Sequence, residues 1–585
     1  MIFKSPSWVP KLPPPPDSIP VSEFILNEKY GRRSLKDSRD PYTCGLTGKS
    51  YSTEQIRARR DDLAKSLREE LGWQVSSGSA YEKVGVIFCL NTIDLMMISW
   101  AIHRLNGISS PANAAYSPSE LAFQLKTSRA KCIFTCSALL PTAVEAAKIA
   151  GVPEHAIYLC PVSDPSPKAA QIPSGMKNLE ELISRGKGLL DLEDQIWSAE
   201  QGKIQTAFIC YSSGTSGLPK GVEISHFNII SNVLQRTTFE APWRKQHTND
   251  ATEVVMGCLP FSHIYGLVLI CHTSTYRGDQ VIVLPKFDLV NFLKSIEGFK
   301  IYELFVVPPI VVLMTKNLEV LRNYDLSSVK FLYTGAAPLG KESVMAMQSV
   351  YPDWQVCQAY GLTESATVVS STSRADNWHG SSGSLLPGAE VRIVSADGKD
   401  IEEYDSPGEL WVKAPSVVIG YLDNEKATKE TFVEDQHGRW LKTGDEGEMR
   451  VCPASGNEHV WIVDRIKELI KVNGNQVAPA ELEGHLLSHP YVSDCAVISI
   501  PNEVSGEAPK AYVVKSNGVG KTVDEEAAKR EIMEHVKKHK TKYKWVQEIE
   551  FIDTIPKSPS GKILRRILRD SDRAQRKKQC IYAKI

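Results

Sequence analysis

Short apolar runs with the character of buried strands keep returning between helix-like stretches, and this alternation constrains the fold more than any other feature of the chain. Residues 83–90, KVGVIFCL, form such a run, followed by the helical TIDLMMISWAIHRLNG, and AKCIFTC and GVPEHAIYLC repeat the pattern. Ser52 to Glu70 is patterned as an amphipathic helix. TAFICY with FNIISNVLQR, and later DQVIVLPKFD, YELFVVPP and VKFLYTGAAPLG, continue the alternation. The expected fold class is α/β, built on mostly parallel sheets, with ligands bound beyond the carboxyl ends of the strands. At 585 residues the chain exceeds one core, so two or more domains are expected.

From about Pro387 the texture changes. GAEVRIV, GELWVKA and GRWLKTGD are short strands separated by Gly, Pro and Asp turns, which predicts a β-rich subdomain over about 387–466 of a large domain spanning 46–466. Residues 467–585 are expected to form a smaller α+β domain, and the proline-rich residues 1–45 an extended lead-in. The run LFVVPPIVVLM is too short to span a bilayer and is broken by Pro308 and Pro309, so it is expected to be buried. The N-terminus lacks the layout of a secretory signal. The net charge of -1 provides no global field for nucleic acid or an anionic membrane. The lysine-rich MEHVKKHKTKYKW is either a solvated helix face or an anion-binding patch. The 12 cysteines show no Cys-x-x-Cys pair, and no zinc-type His/Cys spacing is found, as expected of free thiols in a reducing compartment.

The chemistry concentrates in YSSGTSGLPKGVEISH, Tyr211 to His226. Glycines admit close backbone approach, hydroxyls add donors, and Lys220 adds a cation, a combination suited to phosphate. It is not a Walker loop, because Pro219 stands where the second glycine would be required. Six further stretches accompany it: LPFSHIYG (259–266), YTGAAPLG (333–340), QAYGLTES (358–365), LKTGDEG (441–447), VDRIKELIKVNGNQVAPAELE (463–483) and IPKSPSGKILRR (555–566).

In this order and spacing the set resembles the adenylate-forming superfamily of acyl- and aryl-CoA synthetases, luciferases and peptide-synthetase adenylation domains, most of all the coumarate–CoA ligase group. The likeness runs over residues 45 to 570. It implies two packed α/β sheets in the large domain and a mobile C-terminal domain. The implied activity is an ATP-dependent carboxylic acid–CoA ligase that forms acyl-AMP, releases pyrophosphate and then makes the CoA thioester, with ATP, CoA and Mg²⁺ as cofactors. By the same resemblance Ser212, Ser213, Gly214, Thr215, Ser216 and Lys220 hold the leaving pyrophosphate. Gly335, Ala336 and Ala337, with Gln358, Tyr360 and Gly361, take the adenine, and Tyr360 stacks on it. Thr363 bonds the α-phosphate and Glu364 the Mg²⁺. Asp445 and Arg465 bind the ribose or phosphate.

Lys562 is implied to bridge the attacking carboxylate and the α-phosphate, with His263 bordering the acyl pocket. That pocket is expected to include His263, Tyr265, Gly266, Gly335, Gly361 and Ala366, and to suit an aryl, phenylpropanoid-like or medium-chain acid. A hinge at Lys467 would then rotate the small domain to present Lys471, Gly474 and Gln476 for thioester formation, with Lys286 contacting the CoA nucleotide. Where the coumarate group often has Tyr-Lys, this chain has Val472 and Asn473.

The final Ala583-Lys584-Ile585 fits the small–basic–aliphatic logic of a peroxisomal signal, implying a peroxisomal location and an import receptor as partner. Other readings of the same motifs are a stand-alone adenylating enzyme that loads a carrier protein, a luciferase-like oxygenase, and an inactive nucleotide-binding scaffold.

Overall fold

The computed structural model describes residues 1–163, 175–212, 219–337, 339–473, 475–502, 505–516, 524–558 and 561–582. Among these residues there are four sheets. An eight-stranded sheet has Val84–Phe88 at its centre, flanked in parallel by Ile108–Pro111 and Cys132–Thr135. It continues through Thr206–Ser212 into the antiparallel Lys220–Ser225. A nine-stranded sheet runs in parallel through Val254–Gly257, Glu303–Val306, Phe331–Thr334 and Gln355–Leu362. The expected α/β architecture is therefore present, and the run from Leu304 divides into a buried strand and the helix Pro308–Lys316, with proline at the helix start.

Local rules explain the helices. Thr53–Leu71 begins at a capping box in which Ser52 and Gln55 exchange side-chain and backbone bonds, and it ends at Gly72 with φ 69°. The layers are joined by Trp100 of helix Leu95–Arg104, whose indole donates to His272 Nε2 at 3.3 Å. His272 lies in Tyr265–Thr273, nine residues of π-helix, a rare geometry that is frequent at functional sites.

A seven-stranded antiparallel sheet carries Glu390–Val394, Gly408–Lys413, Gly438–Val451 and Glu458–Arg465. A five-stranded sheet, from Ile470–Val472 to Glu548–Phe551, forms the small C-terminal unit. The extended lead-in expected over 1–45 is corrected. Phe3–Lys4 pairs with Glu390–Val391, Val21–Leu26 is a buried helix, and Tyr42–Cys44 is a strand of the nine-stranded sheet. The segment is folded because long-range packing holds it: the Phe24 ring stacks on Tyr276 at 4.7 Å. Among the described residues no helix is long and apolar enough to cross a membrane, and the cysteines from Cys44 to Cys495 are unpaired and buried.

Beneath the strand Phe331–Thr334 lies a fully buried ionic cluster. Arg374 reaches Glu253 at 2.6 Å, Glu240 at 3.2 Å and Glu303 at 3.3 Å, with its guanidinium 3.9 Å over the Phe331 ring. Arg236 pairs with Glu240 at 2.8 Å, Arg277 pairs with Asp279 at 2.6 Å, and Tyr333 donates to Glu240 at 2.9 Å.

Candidate active site

The carboxyl ends of the central strands converge on one cleft. The antiparallel pair Thr206–Ser212 and Lys220–Ser225 sets Ser212 opposite Lys220. Ser213, Gly214, Thr215 and Ser216 fall between them, outside the described residues. Ser212 Oγ donates to Glu364 Oε1 at 3.2 Å, and the Tyr421 hydroxyl donates to the same oxygen at 2.9 Å. Lys220 Nζ lies 4.5 Å over the Tyr421 ring. One tyrosine thus joins the loop cation to the carboxylate. Tyr421, in IGYLDNE, was not singled out in the sequence, because nothing local marks a turn tyrosine as a partner for residues so distant.

Glu364 and Thr363 sit on the short turn Thr363–Ser365 that follows strand Gln355–Leu362. The strand can enter that turn only through a glycine. A Cβ on Gly361 would lie 1.6 Å from the Thr367 carbonyl oxygen. Ala366 and Thr367 leave the turn at φ 50° and 115°, conformations that side-chain-bearing residues rarely take and that recur at functional sites. Thr367 Oγ1 then donates to the Ile264 carbonyl at 3.0 Å, tying this turn to the His263 segment. Gln358 Oε1 accepts from Leu339 N at 3.2 Å, and Ala336, exposed at φ 68°, turns the chain out of strand Phe331–Thr334, with Ala337 half-buried beside it.

The Tyr360 hydroxyl donates to Asp445 Oδ2 at 2.7 Å, so the proposed adenine platform and ribose carboxylate are coupled before any ligand enters. Asp445 and Arg465 are cross-strand neighbours, with Arg465 Nε 3.5 Å from Asp445 Oδ1. Burial pushes the Asp445 carboxyl up, while Arg465, Tyr360 and Lys562 work against that rise.

Lys562 reaches this group from the C-terminal domain. Its turn is closed by Ser558, whose N–H donates to the Lys562 carbonyl at 2.8 Å, and the Lys562 N–H donates to Ser558 Oγ at 3.1 Å. Gly561, at φ 80°, brings the turn against Val307 and Pro309 of the large domain, with a Cβ position 3.0 Å from Val307 Cγ2. Burial, then the charge of Arg465, lowers the Lys562 ammonium to about 8, while Asp445, Glu364 and Glu468 oppose that loss. As the adenylation cation that the resemblance implies, Lys562 would be charged below that value and neutral above it. For the free enzyme, kcat/KM for pyrophosphate release should therefore fall as pH rises through about 8. A profile flat well beyond that pH, on protein shown to stay folded, would contradict the assignment.

His263 borders the same space. Burial and the Lys562 charge lower it to about 4, so it is neutral near pH 7. Its Nδ1 accepts from Tyr265 N at 3.2 Å, which leaves the ring proton on Nε2 as a donor. Tyr265 is buried, with its hydroxyl donating to the Tyr333 carbonyl at 3.2 Å. Gly266 is packed so tightly that a Cβ would lie 2.3 Å from the Pro260 carbonyl oxygen, whereas Gly335 leaves room, with 3.5 Å to the Tyr265 ring. Ala366 is fully buried.

The residues expected to act with CoA lie elsewhere. Lys471 is exposed, cross-strand from Gln476, and its N–H donates to Glu507 at 2.7 Å. With its amide nitrogen facing inward, Gln476 donates to both oxygens of Glu446 at 2.7 and 2.9 Å, a partner in the large domain that was not foreseen. Lys467 and Lys286 are exposed, and Gly474 and Ala583-Lys584-Ile585 fall outside the described residues. The geometry is that of a site with the Lys562 turn inserted and the Lys471 face outside.

Residues 32–422 match the AMP-binding enzyme family, and residues 481–562 match the AMP-binding enzyme C-terminal domain. The chain is an AMP-binding enzyme. It is 41% identical over 571 residues to the acyl-CoA ligase easD of Emericella nidulans, covering 97% of this chain and 100% of that protein. It is 39% identical to the acyl-CoA ligase cm3C of Cordyceps militaris, covering 97% and 90%. In fold it is similar to the anthranilate CoA ligase AuaEII in complex with anthranoyl-AMP, with a TM-score of 0.77 at 21% identity over 95% of this chain and 98% of that one. It belongs to the family of adenylate-forming, AMP-forming acyl-CoA ligases, whose nucleotide is ATP.

Proposed function

We propose that this enzyme joins a carboxylic acid to CoA in two steps at one site. In the first, a carboxylate oxygen attacks the ATP α-phosphorus. That O–P bond forms, the bond to the β-phosphate bridge breaks, and pyrophosphate leaves. In the second, the CoA sulfur attacks the acyl carbon. The C–S bond forms, the acyl–phosphate C–O bond breaks, AMP leaves with the electron pair, and the thiol proton goes to solvent. The observation that carries this reading is the delivery of Lys562 into the cleft of Asp445, Arg465 and neutral His263. A single cation there draws two anions together and offsets charge in the transition state, while the His263 Nε2–H donates to the acid's carboxylate. Ser212, Lys220 and the loop between them receive the departing pyrophosphate.

Mg²⁺ fits Glu364: a half-buried carboxylate within reach of the loop cation is the type of hard oxygen ligand the ion takes alongside substrate phosphates. Bound there, the ion would neutralise phosphate charge. For the second step the small domain turns about Lys467, exchanging the Lys562 turn for the face of Lys471, Gly474 and Gln476, with Lys286 toward the CoA nucleotide. The Gln476–Glu446 contact is broken in that exchange. Lys471→Ala is therefore expected to leave pyrophosphate release near wild type and to slow thioester formation from supplied acyl-AMP. Equal loss of both half-reactions would reject the rotation.

The acid is an aryl, phenylpropanoid-like or medium-chain carboxylate, lodged between His263, Tyr265 and Gly335. The space before Gly335 supports this, because a methyl group there would make ordinary contacts at 3.4 Å to the Ala359 carbonyl oxygen and 3.5 Å to the Tyr265 ring. Gly335→Ala should fold, and should lower kcat/KM for the widest accepted acid by about tenfold or more while sparing narrower ones. A competition among aryl, phenylpropanoid, medium-chain and very-long-chain acids tests the class; turnover of very-long-chain acids alone would reject it.

A further inference from the structure

The C-terminal domain gathers four histidines on and beside two of its helices. His485 belongs to helix Pro479–Leu487, His489 follows its end, and His535 and His539 lie one turn apart on helix Glu525–His539. The His485 and His535 rings stack at 4.3 Å with planes 5° apart, and His539 lies 5.2 Å from His485 and 5.0 Å from His535. One ligating atom from each of these three lies within 4.8 Å of the other two. Three imidazoles held this close would repel if charged.

The hydrogen bonds orient the rings. His539 Nδ1 lies 2.8 Å from the His535 carbonyl oxygen, so its proton sits there and Nε2 carries the lone pair. Ser488 donates its hydroxyl proton to the His485 carbonyl at 2.7 Å and so accepts from His535 Nε2 at 3.1 Å, which places the His535 lone pair on Nδ1. His485 Nε2 lies 3.3 Å from the same His535 carbonyl. His489 is different: its Nδ1 accepts from Tyr491 N at 3.2 Å, so it flanks the group rather than ligating. Backbone and hydroxyl groups that fix the second nitrogen are the usual outer shell of metal-bound histidines.

We propose that His485, His535 and His539 form a trihistidine site for a divalent ion of the zinc class, with water completing the coordination. Zn–N bonds of about 2.0–2.1 Å in tetrahedral array set the nitrogens about 3.3 Å apart, so the three must close from their present spacing and the stacked His485 and His535 rings must tilt out of parallel to aim at one ion. His539, exposed at the last residue of its helix, has the freedom to do so. Imidazole sets suit zinc, copper and nickel. The ion would clamp helices Pro479–Leu487 and Glu525–His539 together. The sequence hid this set because its members lie on two separate helices rather than in one short motif.

The test titrates Co²⁺ as a spectroscopic probe into the full-length protein after chelator treatment, with Zn²⁺ as competitor. The expected result is one equivalent bound at micromolar protein, visible ligand-field bands with no thiolate charge-transfer band, and displacement by Zn²⁺. In His539→Ala the affinity should drop at least tenfold, with pyrophosphate release unchanged as evidence of an intact fold. Binding that fails to saturate at one equivalent, a thiolate band from the buried cysteines, or undiminished affinity in His539→Ala would each overturn the proposal.

Discussion

Lys562→Ala is expected to lower the rate of pyrophosphate release by at least about 10²–10³-fold, while CoA thioester formation from supplied acyl-AMP stays near wild type. The asymmetry follows from placement. Lys562, on the inserted turn, stands beside Asp445 and Arg465, and its charge is needed where the carboxylate meets the α-phosphate. Once acyl-AMP exists, that pair of anions has already been joined. The turn itself, bonded through Ser558 and packed by Gly561 on Val307 and Pro309, uses no atom of the lysine beyond its backbone, so the variant should fold. Rapid-quench measurement of both half-reactions decides it; equal losses in the two would show that Lys562 acts on binding or stability instead.

Arg374→Met is expected to cost about 3–5 kcal/mol of stability. The guanidinium holds the buried Glu240, Glu253 and Glu303 together, and burial gives water no route to replace it. Burial works against the Glu253 carboxylate, yet Arg374, Arg277 and Arg244 hold it down at about 2. Removing the first of these leaves a buried charge short of its nearest partner. The effect should appear as a lower urea midpoint of the large domain, with Glu253→Gln in the same background recovering part of it. A change below about 1 kcal/mol would mean that the remaining arginines suffice. Because Tyr333 donates to Glu240, the same substitution should loosen the strand that presents Gly335.

The parallel core was legible because strands buried on both faces are continuous apolar runs: KVGVIFCL became Val84–Phe88, and VKFLYTG became Phe331–Thr334 with the turn at Ala336. The motif residues were legible because glycine, hydroxyl and charge stand together in one short stretch, as at Gly361, Thr363 and Glu364. What stayed hidden was decided by distant packing. The helix Val21–Leu26 follows a proline run, and its burial depends on Tyr276; Tyr421 acquires its role from Glu364, and Glu446 acquires its role from Gln476. The histidine cluster was missed for the same reason, since its two halves are assembled by helix packing.

The most direct test of the account follows pyrophosphate and CoA thioester together, with purified enzyme, Mg-ATP and pooled acids, with and without CoA. The account predicts pyrophosphate release that needs an acid, and one thioester formed per pyrophosphate when CoA is present. Acid-dependent pyrophosphate release with no thioester and no response to CoA would contradict it, and would point to transfer onto a carrier protein or to oxidation of the adenylate.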